Sequence, residues 1–287
     1  MVKDLKTKNR LNMLGLVETK KHVVTRFNVA RLWGCNSVSW EYVAFDGASG
    51  VLLKNNFNCA FFLVYGAHVR EEKLVVWEEL SYVAGLCQVL CCFMGDFNEI
   101  VHIEERKGAG SLTVAAEEFK SWIQDMHLVD LPLNDRKYTW FRGCSCIWID
   151  RVMVSLEWVE EFPKTRLRGR PRGLSDHCPL IVEDTKMRDG PRPFRSLDSW
   201  FTHEGFLRMV KEEWKGLGEI NFTDKLKALT APLGRWHKVN FGNMDTKILQ
   251  FDEEIKKLDD KVSSGVYDGT VEGRRKALVT CCKGWYV

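Results

Sequence analysis

The sequence has no apolar run near the roughly 20 residues that cross a bilayer, and its first ten residues, MVKDLKTKNR, carry charge where a secretory leader needs an apolar stretch. These two absences predict a soluble, intracellular protein. Internal repeats and low-complexity tracts are missing as well, which excludes a solenoid or a biased, disordered segment. Proline is scarce, 7 in 287 residues, and five of the seven fall within residues 163–193. Charge of one sign is not in excess: the net value is +3, and the first 186 residues are balanced, so the small surplus lies after them. Cysteine is not scarce, at 10 residues, but no disulfide or zinc framework organises it. Cys91 adjoins Cys92, Cys281 adjoins Cys282, and Cys144 and Cys146 have a single residue between them, so most read as small buried hydrophobes.

What is present is an ordinary globular balance, 45% hydrophobic and 28% charged, long enough to bury a sizeable core. Apolar runs bounded by turn residues predict strands at 13–17, 38–45, 50–53, 59–65, 89–94, 138–141, 147–154 and 179–182. Helical spacing predicts helices over 72–84, 115–126 and 156–161, and Asp46-Gly47 marks a hairpin. Strands outnumber helices and their connections mix hairpins with crossovers, so a mixed-sheet α/β sandwich fits better than a parallel one. Asp189-Gly190-Pro191-Arg192-Pro193 favours an extended break. Beyond it, amphipathic helices are predicted over 206–214, 222–236 and 244–262, which places a domain boundary near residue 187.

Chemistry is concentrated in a few blocks. An apolar strand runs into Gly95 and then presents Asp96 and Asn98, two apart and on one side if the chain stays extended. A carboxylate at a strand's C-terminal end can accept a proton from water or hold a hard cation; an Asx turn is the plain alternative. Asp176 and His177 put an acid beside an imidazole just before another apolar strand, where neighbours point to opposite sides. Asp150 lies in an apolar run, and a buried carboxylate needs a partner. An imidazole would satisfy it and fix its own tautomer, with a structural ion pair as the alternative. Glu18 ends one more apolar segment.

The blocks Val17-Glu18-Thr19-Lys20, Val64-Tyr65-Gly66, Gly95-Asp96-Phe97-Asn98, Ile149-Asp150-Arg151 and Ser175-Asp176-His177 occur in that order. Together they resemble the endonuclease/exonuclease/phosphatase superfamily. Leu128-Val129-Asp130-Leu131-Pro132, Tyr138-Thr139-Trp140, the stretch from Asp150 to Ser155 and Gly190-Pro191-Arg192-Pro193-Phe194-Arg195 are similar to the endonuclease region and following linker of plant non-LTR retrotransposon polyproteins. The resemblance implies a four-layer sandwich of two mixed β-sheets flanked by helices, over residues 1–186, followed by a helical tail over 187–287. It implies metal-dependent cleavage of DNA in the nucleus, with Mg²⁺, or alternatively Mn²⁺, held by Glu18 and Asp176. Asp96 would deprotonate the attacking water with help from Asn98, His177 held by Asp150 would donate to the phosphate, and Tyr65 would line the pocket.

Departures from the pattern are also visible. The family's first strand supplies an Asn ligand ahead of the Glu18 position, and only a short charged segment stands there. A truncated domain with an open sheet edge and weakened metal affinity is therefore expected. Ala67 and His68 replace the family's Pro and Asn after Tyr65-Gly66. A non-catalytic nucleic-acid-binding remnant is thus a second reading, and a phospholipid or inositol phosphate substrate a third.

Lys164, Arg166, Arg168, Arg170 and Arg172 alternate along one segment, so on an extended strand all five cations face one way and could follow a phosphate backbone. The alternative is a solvated, charge-protected edge. Trp140, Phe141 and Trp148 could add a stacking surface, though core packing is the commoner use. The charged run from Asp252 to Lys261 reads as a solvated helix face.

Overall fold

A computed structural model describes residues 13–16, 25, 29, 50–53, 59–87, 89–173, 175–184, 200–201 and 203–283. Among these residues its centre is a five-stranded mixed sheet, with Gly50–Leu53, Cys59–Tyr65, Leu90–Asp96, Asp150–Ser155 and Leu128–Asp130 side by side in that order. β1 (Gly50–Leu53) runs antiparallel to β2 (Cys59–Tyr65). β2 is parallel to β3 (Leu90–Asp96), and helix α1 (Arg70–Leu86) makes the crossover. β2 and β3 are apolar almost throughout because both of their faces are covered.

One face packs under helices. Phe62, Val64 and Phe93 point to the same side as Trp77 and Leu80 of α1 and Phe119 and Trp122 of α2 (Val114–Asp125). Rings dominate that layer, with Phe62 stacked on Phe93 at 4.4 Å and Trp77 stacked on Trp122 at 4.9 Å between centroids. Thr113 caps α2 by accepting the Ala116 N–H at 3.2 Å.

The edge strand β4 (Leu128–Asp130) follows α2. A hairpin of β5 (Trp140–Arg142) and β6 (Ser145–Ile147) turns at Gly143, φ 60°, and leads into β7 (Asp150–Ser155), which pairs antiparallel with both β3 and β4. β7 alternates: Met153 joins the helix-covered layer, while Val152 and Val154 face the opposite one. There Phe61, Cys92 and both valines meet Trp158 of α3 (Leu156–Glu161) and Leu167 of β8 (Arg166–Gly169), which pairs with β9 (Leu180–Glu183).

The α/β class and its helix-flanked sheets stand as the sequence suggests. Among the described residues, the second layer consists of two separate two-stranded antiparallel ladders. β3 reaches two residues further than its apolar run, and the expected strand 147–154 divides into β6 and β7, with Trp148 and Ile149 between. Residues 13–16 are irregular, not strand, although Met13 packs against the second layer. The expected strand 38–45 and the Asp46-Gly47 turn lie outside the described residues.

After residue 200 come α4 (Phe206–Gly216), α5 (Phe222–Ser263) and α6 (Gly269–Lys283). α5 corrects the expectation of two helices: it runs unbroken through Pro232 and the polar stretch around Lys238. α6 has no counterpart in the sequence reading. Among the described residues, no helix is long and apolar enough to cross a membrane.

The stacked rings of the first layer are expected to hold the sheet together. Phe93→Ala, at a site with no exposure, should lower unfolding free energy by about 3–5 kcal/mol in urea titration. A loss under about 1 kcal/mol would show that this layer does not anchor β3.

Candidate active site

β3 delivers Asp96 because Gly95 can continue where another residue could not. At φ 143°, a Cβ on Gly95 would stand 2.0 Å from the Val64 carbonyl oxygen, so only glycine permits β2 and β3 to pair this closely. Asp96 is the last residue of the strand, flanked by Tyr65 on β2 and Asp150 on β7. Two carboxylates thus sit in register on neighbouring strands, Asp96 2% exposed and Asp150 7% exposed. Such a pair repels unless a cation lies between.

His177 provides the charge. Its Nδ1 lies 3.0 Å from both Asp150 carboxylate oxygens, and its Nε2 lies 3.9 Å from Asp96 Oδ2. Burial disfavours the imidazolium, but the hydrogen bond and charge of Asp150, joined by the charges of Asp96 and Asp176, raise its pKa to about 9. The ring is therefore protonated at neutral pH in the absence of a bound cation.

The loop that carries His177 is pinned on both sides. The Cys178 N–H donates to the Thr139 carbonyl at 2.7 Å, the Phe141 N–H donates to the Asp176 carbonyl at 3.0 Å, and the His177 N–H donates to Ser175 Oγ at 3.0 Å. Thr139, wholly buried, also accepts the Asp150 N–H at 3.0 Å through its hydroxyl. One threonine thus sets the strand bearing Asp150 against the loop bearing its imidazole partner. Sequence reasoning gave Thr139 no role; a threonine flanked by aromatics reads as ordinary strand.

Asn98 departs from the extended geometry expected of it. Its φ is 51°, its N–H donates to Asp96 Oδ1 at 2.8 Å, and its amide Nδ2 donates to the Gly66 carbonyl at 2.6 Å. The Asx turn and the clustered site are therefore both present, with Asn98 stapling the β2 and β3 ends together. Lys73 of α1 reinforces the same turn, donating to the Asn98 carbonyl at 2.8 Å while paired with buried Glu99. Tyr65 is half-buried beside Asp96, its hydroxyl 3.2 Å from His68 Nε2.

Other expected residues lie apart. Asp176 is exposed and accepts the Trp140 indole N–H at 3.1 Å, outside the three converging groups. Glu18 lies outside the described residues. Phe141 is buried and so offers no stacking surface. Lys164, Arg166 and Arg168 are exposed and Arg170 is half-buried. Arg172 corrects the five-cation row: β8 ends at Gly169, and Arg172, 3% exposed, turns inward to pair with Asp259. Arg151 likewise faces inward, paired with Glu105 and Asp130.

Asp96, Asp150 and His177 each offer one ligand atom, and these atoms lie within 4.8 Å of one another. Two carboxylates and an imidazole are a donor set suited to a divalent cation. The same electrostatics that hold a proton on His177 favour positive charge in the cleft generally.

No protein-family model matches this chain, and no curated protein matches it. Among solved structures, it is similar to a 3′-5′ exonuclease from Neisseria meningitidis (19% identity, 44% of this chain and 61% of that one, TM-score 0.38). It is also similar to an AP endonuclease from Archaeoglobus fulgidus (16% identity, 44% and 62%, TM-score 0.36). A third is the endonuclease domain of TRAS1, a telomere-specific non-LTR retrotransposon (13% identity, 50% and 73%, TM-score 0.37). The chain spans about three fifths of the length of the first two.

Because the folded pKa of His177 is raised, the stability that its protonated ring contributes is complete below its ordinary value of 6.5 and lost as pH rises through about 9. Without added metal, the urea midpoint of the parent should fall across that window more than that of His177→Gln. Parallel curves for the two proteins would show that the imidazolium does not offset the carboxylate pair.

Proposed function

We propose that the chain is a metal-dependent phosphodiesterase that cleaves DNA, an endonuclease of the endonuclease/exonuclease/phosphatase type resembling those of plant non-LTR retroelements. Its catalytic domain is assigned to residues 1–186 and its helical appendage to 187–287. The observation that carries the reading is the row Asp150, His177, Asp96, in which a half-buried imidazolium is held by one carboxylate and faces another.

In this reading a water molecule attacks phosphorus from the Asp96 side, and the Asp96 carboxylate takes its proton as the new P–O bond forms. His177 keeps its Nδ1 proton on Asp150 and directs Nε2–H at a phosphoryl oxygen, where negative charge builds as the bond to the leaving oxygen breaks. Asp150 fixes the ring orientation and sustains its charge. Asn98 and Lys73 act earlier, by fixing the turn that aims Asp96. Tyr65 walls the cleft.

A divalent cation, Mg²⁺ or Mn²⁺, would supply Lewis-acid polarisation of the phosphate and charge neutralisation at the leaving oxygen, with Glu18, which lies outside the described residues, and Asp176 proposed to hold it. Lys164, Arg166, Arg168 and Arg170 offer positive charge for the DNA backbone, with Arg168 also in an exposed pair with Glu183 at 3.4 Å. A DNA substrate is consistent with the nuclear location proposed for the protein.

Purified protein should nick supercoiled plasmid with Mg²⁺ and stop on addition of EDTA. Asp96→Ala and His177→Ala should each slow nicking on the order of 10²–10⁴-fold. Equal rates for Asp96→Ala and the parent would exclude this assignment; metal-independent, salt-sensitive binding without cleavage would support a binding module in its place. Replacing Arg166, Arg168 and Arg170 together should weaken DNA binding and flatten its salt dependence by up to about one unit per lost phosphate contact. An unchanged salt slope would remove β8 from the DNA surface.

A further inference from the structure

Among the described residues, the helical tail meets the domain around the base of the His177 loop and the adjoining β5–β6 hairpin. Asp259 of α5 is 2% exposed and accepts two hydrogen bonds from Arg172 on the same oxygen, at 2.9 Å from Nε and 2.6 Å from Nη2. Arg172 lies over the Phe141 ring at 4.4 Å and donates to the Phe141 carbonyl at 3.2 Å. The Phe141 N–H in turn holds the Asp176 carbonyl, one residue before His177.

Further contacts gather around the same region. Arg275 of α6 donates to the Gly173 carbonyl at 3.0 Å, and Val262 joins Tyr138, Phe141, Cys146 and Cys178 in one apolar cluster. Lys107 donates to the Val262 carbonyl at 2.5 Å, closing the contact from the other side. The Cys178 and His177 amides and the Asp176 carbonyl hold the loop beside His177, while the tail braces its start at Arg172 and Gly173. The tail adds a second constraint to those hydrogen bonds.

We propose that Asp259 is a positioning residue for the catalytic imidazole, and that the α5–α6 turn is the clamp that sets His177 against Asp150; as a statement about catalysis this rests on the role given to His177 above. The two can fail separately, because the clamp is read by structure and not by turnover. Asp259 acts only through Arg172 and Phe141, and touches none of the reacting groups.

The test uses the full chain and its Asp259→Ala and Asp259→Asn variants. Hydrogen exchange should accelerate at the Phe141 and Cys178 amides, on the order of 100-fold for Asp259→Ala, since removing one partner strands a buried guanidinium. The amides of Phe62 and Phe93 in the central sheet should keep parent rates. At pH 6 the downfield proton resonance of His177 Nδ1–H, hydrogen-bonded to Asp150, should weaken or vanish in Asp259→Ala. Loop amides and His177 resonance unchanged in both variants would overturn the clamp. Equal acceleration of sheet and loop amides would also overturn it, because the tail would then stabilise the whole domain and not the loop. If the parent does not cleave DNA but the loop alone loosens, the clamp stands and the proposed reaction falls.

Discussion

Two carboxylates that the sheet forces side by side, and the cation that permits it, are the constraint from which the rest follows. Asp96 and Asp150 occupy paired positions on β3 and β7 and are almost withdrawn from water. In an apolar interior that arrangement is unfavourable unless positive charge stands between them. His177 supplies it, and its raised pKa is the same interaction seen from the ring. The paired carboxylates therefore make the cleft favour positive charge.

Everything around the trio is arranged to keep it there. Gly95 allows β3 to hug β2 to its end, Asn98 and Lys73 hold the turn, and Thr139 ties β7 to the His177 loop. These are hydrogen bonds from backbone and buried polar groups, and they leave the reacting side chains few alternative rotamers. The helical tail extends the same arrangement outward through Arg172 and Asp259.

The sequence revealed those features in which a strong local demand determines the outcome. β2 and β3 were legible because a strand covered on both faces must be apolar throughout, and the Asp150–His177 partnership was legible because a carboxylate in an apolar run requires a partner. Arg172 was misplaced because alternation predicts a shared face only while the chain remains a strand, and β8 stops at Gly169. At Asn98 the sequence left two readings open, and the Asx turn and the clustered site are both present; its amide bond to the Gly66 carbonyl is a tertiary contact with no local signature. α6 and the continuity of α5 were missed because both are weakly amphipathic and depend on packing more than on pattern.

The most direct test of the central claim is a double-mutant cycle on DNA cleavage with Asp150→Ala, His177→Ala and the pair together. Residues that act as one unit are strongly non-additive. If Asp150 works by holding the His177 ring, the double variant should cleave no more slowly than the slower single variant. Rate losses that multiply would show that the two side chains act independently and would contradict the account.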